Sequence, residues 1–269
     1  MIPLGSDSKR ELLHRYEFIK RFERESRQFG AKRRESEKKA CQVALINLTI
    51  IAGVTDVDRL IWQMESAKLE EVRPFMEKQE VNQVLVWLNI DEDGNASLLC
   101  EKNGKPLKSI PSSLSKNETI LELKGKVKEL KEQKQRSRDT LERSIVNRST
   151  FTCQELNDLL QNSVIAPMIE RLVWVTEDKQ TGFAKLHEET VVLKNPYGTT
   201  AGLMKDSVLR IAHPHDLIQA GTWANYMLMV YKEKIVQPFK QVFREYYPLT
   251  NEERQERTIS RRYSGHQVQ

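Results

Sequence analysis

The sequence predicts a predominantly helical α+β protein. Apolar residues recur at spacings of three and four over long stretches of the 269-residue chain, which places them on one face of a helix. Between Val84 and Ile90 the spacing changes to two, and the turn pairs Asp93-Gly94 and Asn103-Gly104 follow. Hydrophobic residues make up 39% of the chain, which suffices for a sizeable core. We therefore expect a helix bundle with small antiparallel sheets.

These patterns divide the chain into four segments. Residues 1–79 are a helical segment, and residues 80–110 are an antiparallel β-meander. Residues 111–180 hold a long amphipathic helix and the helices that follow it. Residues 181–269 form a C-terminal α+β module with a second small sheet.

The first segment is predicted to hold three helices. Ser6 or Asp7 can cap the first helix, which ends near Gly30, the second stops at Gly53, and the third starts at Asp56. The inward residues are expected to be Leu12, Tyr16, Ile19 and Phe22 on the first helix, Ala40, Val43, Ala44, Leu48 and Ile51 on the second, and Leu60, Ile61, Met64 and Leu69 on the third. The short connections predict that the three helices pack as neighbours.

The second and third segments are a meander followed by helices. Three strands are predicted at 84–90, 96–102 and 105–110, and a helix must cover one face of so small a sheet. A long helix then runs from about Asn117 toward Asn147. Lys134 and Ser137 occupy positions of its seven-residue apolar register, so we expect an exposed middle and not a coiled coil. Thr152 opens a further helix, and an apolar segment at 165–174 surrounds Pro167.

The fourth segment is predicted to begin with strands at 183–186 and 190–193, a loop that extends through Gly202, and a strand at 208–212. Asp216 then caps one helix, and a bend at Pro238 leads into a short aromatic helical face. The expected apolar faces are Leu217, Ala220, Trp223, Ala224, Met227, Leu228 and Tyr231, and then Phe239, Val242, Phe243 and Tyr246. We expect this pair of helices to be the hub of the fold, with Trp223, Met227, Phe239 and Phe243 buried.

Three motifs of this fourth segment carry a family resemblance. AHP at 212–214, QPFKQVFRE at 237–245 and RRYSGHQV at 261–268 together resemble the bacterial family called domain of unknown function 4132, the MolR/YehI-like proteins. The resemblance continues upstream through FGAKRRESEKKA, DVDRLIWQME and GKPLKSIP. It implies a much longer parent protein with helical repeats, of which this chain is a fragment at both ends. The MolR name implies a proposed link to the regulation of molybdate metabolism.

Three functional hypotheses follow. The leading one is a non-enzymatic scaffold or regulatory module that packs against other segments of the parent protein or a protein partner. The second is an enzyme or ligand-binding domain at the point where the three motifs converge. The third is nucleic-acid association through basic N-terminal helices. GxGxxG, GxxxxGK[ST] and a serine-histidine-acid order are absent, so no reaction is named and no cofactor is predicted.

Each site hypothesis has its own residues, and a hydrogen-bond network that fixes the aromatic core is the structural alternative to the first set. The candidate ligand or polar-network residues are His213, His215, Gln237, Lys240, Arg244, Arg262 and His266. The nucleic-acid candidates are Lys32, Arg33, Arg34, Lys38 and Lys39. Glu35 and Glu37 interleave with that second set, which favours an ordinary solvated helix face.

The sequence favours neither a metal site nor a membrane span. His213 and His215 lack a third ligand at a recognisable spacing, and the Asp91–Asn95 stretch departs from a calcium loop because Lys102 replaces its glutamate. The three cysteines lack CxxC spacing and read as free thiols of a reducing compartment, so we expect a cytoplasmic protein. No run approaches the roughly 20 apolar residues of a membrane span. Residues 1–39 carry 12 Lys or Arg against 7 Asp or Glu, which concentrates the net charge of +5 there.

Overall fold

The computed structural model describes residues 8–256 and has an α+β architecture with two antiparallel sheets. The α-helices are α1 (Ser8–Glu25), α2 (Ala31–Ala52), α3 (Val57–Val72), α4 (Glu118–Asn147), α5 (Cys153–Leu160), α6 (Ala166–Ile169), α7 (Pro214–Gln219), α8 (Trp223–Lys232) and α9 (Asn251–Glu256). The strands are β1 (Gln79–Val81), β2 (Val84–Ile90), β3 (Ala96–Lys102), β4 (Lys105–Leu107), β5 (Thr150–Thr152), β6 (Val173–Thr176), β7 (Thr181–His187), β8 (Thr190–Lys194), β9 (Thr200–Gly202) and β10 (Val208–Ile211).

The helices α1, α2 and α3 form the expected N-terminal bundle around their own core. Its buried residues are Leu12, Leu13, Tyr16, Leu45, Leu48, Leu60, Ile61 and Met64. The Asp56 carboxylate accepts from the Arg59 N–H and caps α3, and Gly53 ends α2 at φ 67. The predicted inward face of α2 is wrong for Val43, which is 57% exposed, because Cys41 and Leu45 face the bundle instead. The proposed caps Ser6 and Asp7 lie outside the described residues.

The first sheet has four strands in the order β1-β2-β3-β4, so the prediction of three strands is wrong by one. The missed strand β1 pairs with β2 through a turn at Asn82 and Gln83, both at positive φ (48° and 63°). Glycine is the usual residue at such angles, and its absence removed the turn signal. Both predicted hairpins are present, β2–β3 and β3–β4. The Asp91–Asn95 stretch forms the first turn, in which the Asp91 carboxylate accepts from the Asp93 and Asn95 N–H groups.

The long helix α4 begins where the sequence predicts. The Asn117 side chain accepts from the Thr119 and Ile120 N–H groups and caps it. Its middle is buried and not exposed, which corrects the prediction, since Gln133 and Ser137 are each 1% exposed. The helix α4 lies between the N-terminal bundle and the first sheet. The polar residues in its apolar register are therefore buried and form a polar cluster.

The second sheet has the order β5-β10-β6-β7-β8-β9. The predicted strands at 183–186, 190–193 and 208–212 correspond to β7, β8 and β10. The predicted loop through Gly202 contains the edge strand β9. Thr152 caps α5 through a reciprocal pair of bonds with Glu155, as expected for the start of that helix.

The predicted hub of the fold differs most from the structure. The expected single helix is two helices, α7 and α8, separated at Gly221, which has φ 67. His213 is the N-cap of α7, and Asp216 is its partner in a capping box. The residues of α8 that are buried are Tyr226 and Val230, whereas the predicted face residue Tyr231 is 78% exposed.

The segment after α8 is irregular, so the predicted aromatic helical face is wrong. Phe239 and Val242 are buried, but Phe243 is 41% exposed. The largest core cluster combines β2, β3, α4, α5, α6 and the second sheet, and Phe239 belongs to it. Trp223 and Met227 are half-buried against a smaller cluster between α8 and β6. The fold is therefore organised around α4 and the two sheets, not around Trp223.

No single helix within residues 8–256 has both the length and the apolar composition needed to cross a bilayer. The helix α2 and the stretch Val57–Met76 pass that test only together, and they are bent by 78°.

Candidate functional site

The AHP segment (212–214) and the QPFKQ segment (237–241) meet through the fully buried side chain of Gln241. Its Nε2 donates to the carbonyl oxygens of Ala212 at 2.9 Å and Val173 at 2.7 Å. Its Oε1 accepts from the Val173 N–H at 2.9 Å and from Gln237 Nε2 at 2.9 Å. Two of the three motifs therefore lie against one another. The third motif, with Arg262 and His266, lies outside the described residues.

Gln237 uses its amide in the same way. Its Nε2 also donates to the Arg171 carbonyl oxygen at 3.0 Å, and its Oε1 accepts from the Val242 N–H at 3.1 Å. Neighbouring side chains add two bonds to this backbone, from Trp223 Nε1 to Val242 O at 2.7 Å and from Arg138 Nε to Pro238 O at 2.6 Å. All four amide protons of the two glutamines are engaged, so these side chains satisfy the backbone of an irregular segment.

His213 and His215 lie side by side against Tyr246. His213 Nδ1 accepts from the His215 N–H at 3.2 Å, and His215 Nδ1 lies 2.7 Å from the Tyr246 hydroxyl. The Tyr246 ring contacts both imidazoles, with ring centroids 5.6 Å and 5.5 Å away. Burial lowers the pKa of His213. The Asp216 carboxylate opposes this shift, and the nearby Arg244 guanidinium adds to it.

Asp216 is the negative centre of this region. Its carboxylate lies 2.9 Å from Arg210 Nη2 and 3.5 Å from Arg148 Nη2, and it accepts from the His213 N–H at 3.0 Å. Arg244 Nη1 is buried and finds no hydrogen-bond partner in the described part of the chain. The region thus holds one carboxylate among guanidinium groups. Within residues 8–256, no group of three or more His, Cys, Asp or Glu is arranged to hold a metal ion.

Lys240 does not join this cluster. Its side chain is 70% exposed and lies 3.9 Å from the equally exposed carboxylate of Glu245. A surface ion pair at this distance contributes little to stability. The structure therefore places Gln237 and Gln241 inward, the two histidines at the half-buried margin and Lys240 in solvent.

The five nucleic-acid candidates lie on the exposed N-terminal half of α2. Arg33 Nε lies 2.7 Å from Glu37 and stacks 3.4 Å over the Phe29 ring, and Lys39 lies 3.0 Å from Glu35. The remaining three are exposed and have no ion-pair partner among the described residues: Lys32, Arg34 and Lys38. Nucleic-acid binding through α2 stays a prediction, with two of its five cations engaged by acids of the same helix.

A buried ionic network that the sequence did not indicate connects the bundle to α4. Glu65 of α3 is fully buried, and its carboxylate accepts from the Tyr16 hydroxyl at 2.7 Å and from Arg136 Nε at 3.0 Å. Gln133 Nε2 donates to the Glu65 carbonyl oxygen at 2.6 Å. Burial, followed by the Glu65 charge, raises the pKa of Tyr16 well above its usual value. The sequence feature that could have indicated this network is Glu65, a glutamate beside Met64 on the apolar face of α3.

A basic pocket of about 470 Å³ was also missed. It opens between the β2–β3 turn, α4, the residues before β6 and the segment 236–238. Its cationic residues are Lys131, Lys134, Arg138 and Arg171. They come from separate parts of the sequence, so no local motif could have indicated the pocket.

Comparison with known families places the chain. Residues 104–269 match the family described as Domain of unknown function (DUF4132), and residues 1–64 match a second one described as Family of unknown function (DUF5724). The chain is thus an α+β protein that belongs to the DUF4132 family. No curated protein and no solved structure matches it.

Proposed function

We propose that this chain is a non-enzymatic scaffold or regulatory module of a longer, MolR-like bacterial protein. The observation that carries the proposal is the complete engagement of the Gln237 and Gln241 amides by one another and by buried backbone groups. Side chains that act on a substrate must keep donors or acceptors directed at open space. The two glutamines of the QPFKQ segment instead hold the chain on the backbone of Arg171, of Val173 in β6 and of Ala212 directly after β10.

The Glu65 network supports the same proposal. Tyr16 lies in the part of the chain that matches DUF5724, and Arg136 lies in the part that matches DUF4132. Both bind one buried carboxylate, so a charge that burial would otherwise penalise joins the two parts. A module with this role presents other segments of the parent protein, or a protein partner, with a fixed arrangement of surfaces.

The proposal also places the protein in the cytoplasm. Cys41, Cys100 and Cys153 are all buried and unpaired, and free thiols are typical of a reducing compartment.

The rigidity that a scaffold requires is measurable with two spin labels. Labels on cysteines introduced at Lys39 of α2 and His187 of β7, both exposed, report the distance between the bundle and the second sheet. Burial raises the pKa of the three native thiols, so the introduced cysteines react first. We expect one narrow distance distribution, and Glu65→Ala is expected to broaden it. A broad or multiple distance distribution in the labelled chain without the Glu65→Ala change contradicts the scaffold proposal.

A second candidate function is ligand binding beside His213, His215 and Arg244. The buried, unpartnered Arg244 Nη1 favours it, since a carboxylate of a ligand would supply the missing acceptor. Titration with succinate, followed by the imidazole proton signals of His213 and His215, tests this candidate. Saturable shifts that Arg244→Met abolishes support it. The absence of shifts, or shifts that persist in Arg244→Met, rules it out.

A further inference from the structure

The basic pocket has walls that are fixed before any ligand arrives. The Asp91 carboxylate closes the β2–β3 turn by accepting from the Asp93 N–H at 3.0 Å and the Asn95 N–H at 2.8 Å. Gly94 has φ +73, and a Cβ built there would lie 2.6 Å from the Val164 carbonyl oxygen. Only glycine allows this approach, so the turn lies directly on the backbone beside α6. The opposite wall, at 236–238, is held by the bond between Gln237 and Arg171.

Like charges are concentrated in this pocket. Four cations line it, Lys131, Lys134, Arg138 and Arg171, and Asp93 is its one lining carboxylate within the described chain. The nearby Asp91 carboxylate also acts on Lys134, but its oxygens are occupied by the turn. Like charges at close range oppose folding unless something neutralises them. The surplus of positive charge therefore leaves the pocket suited to an anion.

Lys134 and Arg138 are oriented by neutral acceptors and keep donors free. Lys134 Nζ donates to the Asp93 carbonyl oxygen and to Asn95 Oδ1, both at 2.6 Å, which fixes the ammonium at the rim of the turn. Burial lowers the pKa of Lys134, while Asp91 and Asp93 oppose the shift. Arg138 uses Nε for Pro238, and its terminal nitrogens have no partner in residues 8–256. A free guanidinium edge matches the oxygens of a phosphate.

One wall of the pocket is apolar. Pro167, Met168, Val236 and Pro238 line it, beside the cations. Ligand pockets combine an apolar wall with a few converging polar groups and have volumes of about 300–1,000 Å³. We propose that this pocket binds a small phosphorylated molecule, with its phosphates on Lys131, Lys134 and Arg138 and its organic part on the apolar wall.

Asp93 has a defined role in this proposal. Its carboxylate forms an ion pair with Arg171 at the edge of the pocket. The Asp93 carboxylate therefore neutralises the Arg171 guanidinium, which a phosphate would otherwise contact, and Asp93 competes with the ligand. Removal of its charge should strengthen binding, which is opposite to the effect expected for a residue that contributes to the site.

Calorimetric titration with sodium pyrophosphate at low salt tests the proposal, because pyrophosphate carries the shared phosphate chemistry alone. We expect saturable 1:1 binding with a Kd below about 1 mM. Lys131→Glu should weaken it about tenfold or more, and Asp93→Asn should tighten it severalfold. Lys205→Glu, in the turn between β9 and β10, is the matched control, since it makes the same charge change at another exposed lysine and should alter the Kd less than about twofold.

Further arms identify the source of the phosphate. Adenosine triphosphate is expected to bind more tightly than pyrophosphate if the apolar wall receives an organic group, whereas pyrophosphate alone should bind as well if only the phosphates are recognised. Lys134→Met removes the charge of a lining lysine and keeps a side chain of similar volume. A thermal unfolding midpoint close to that of the unsubstituted chain shows that each variant is folded. The proposal is overturned by absent pyrophosphate saturation, by equal weakening in Lys131→Glu and Lys205→Glu, or by binding of a single-stranded oligonucleotide alone.

Discussion

Two neighbouring polar regions of this protein are built in opposite ways. In the QPFKQ segment, the Gln241 and Gln237 amides bind one another and buried backbone groups. In the adjoining basic pocket, Lys131 and Arg138 keep donors open to a cavity. Gln237 belongs to both regions, because it lines the pocket and donates to Arg171 O. The difference teaches that polar residues near an aromatic core indicate a binding site only when their donors face open space.

The largest effect expected is the loss of stability in Glu65→Ala, which extends the comparison to a buried charge. The change leaves the Arg136 guanidinium without its carboxylate and the Tyr16 hydroxyl without its acceptor. Removing one partner of a buried ion pair costs about 3–5 kcal/mol. Denaturant unfolding measures the loss. Glu35→Ala, in an exposed pair with Lys39, should cost less than about 1 kcal/mol, and equal losses in the two variants would refute the role of the network.

The next largest effect is expected for Gln241→Leu. The leucine fills the space, but the Val173 N–H and the Ala212 carbonyl oxygen lose their partner inside the protein. Each buried group left unsatisfied costs about 1–3 kcal/mol, so we expect a destabilisation of about 2–4 kcal/mol in the same unfolding experiment. Lys240→Ala, one residue away and exposed, should change stability by less than about 0.5 kcal/mol. A near-neutral Gln241→Leu would remove the contrast between the two regions.

The smallest effect is a change in pH dependence at His213. Because its folded pKa is lowered, the neutral imidazole contributes stability above the unfolded pKa of about 6.5, and that contribution is lost as pH falls through the folded value. His213→Asn keeps an N-cap acceptor for α7 and removes the titration. We expect the His213→Asn variant to lose less stability than the unsubstituted chain between pH 7 and pH 5. A decline in His213→Asn that parallels that of the unsubstituted chain would contradict the assignment.

Local patterns predicted the elements whose causes are local. Asn117 indicated the start of α4, Gly53 the end of α2, and the Asn103-Gly104 pair a hairpin. The sequence missed β1 because Asn82 and Gln83 adopt positive φ without a glycine. It also predicted a helical face after Pro238, where bonds to Val173 of β6 and to Ala212 directly after β10 hold an irregular chain instead.

The candidate site followed the same division. The sequence placed a hypothetical site at the meeting of the three motifs, and the bond from Gln241 to Ala212 brings the AHP and QPFKQ segments together. The role of Gln241 depends on backbone groups that are far away in the sequence, and a local motif does not identify them. The basic pocket combines α4 with Arg171 and the 236–238 segment, so its charge surplus exists only in the folded chain.

The central claim is that Gln237 and Gln241 fasten the segment after α8 to the second sheet. Amide hydrogen exchange at Val242 in the unsubstituted chain tests it most directly. Val242 lies outside any helix or strand, and its N–H donates to Gln237 Oε1. If the glutamines fasten this segment to the second sheet, the Val242 amide exchanges as slowly as that of Val175 in β6. Exchange at the rate of an exposed loop would mean that the segment opens freely and that its polar side chains do not hold the fold together.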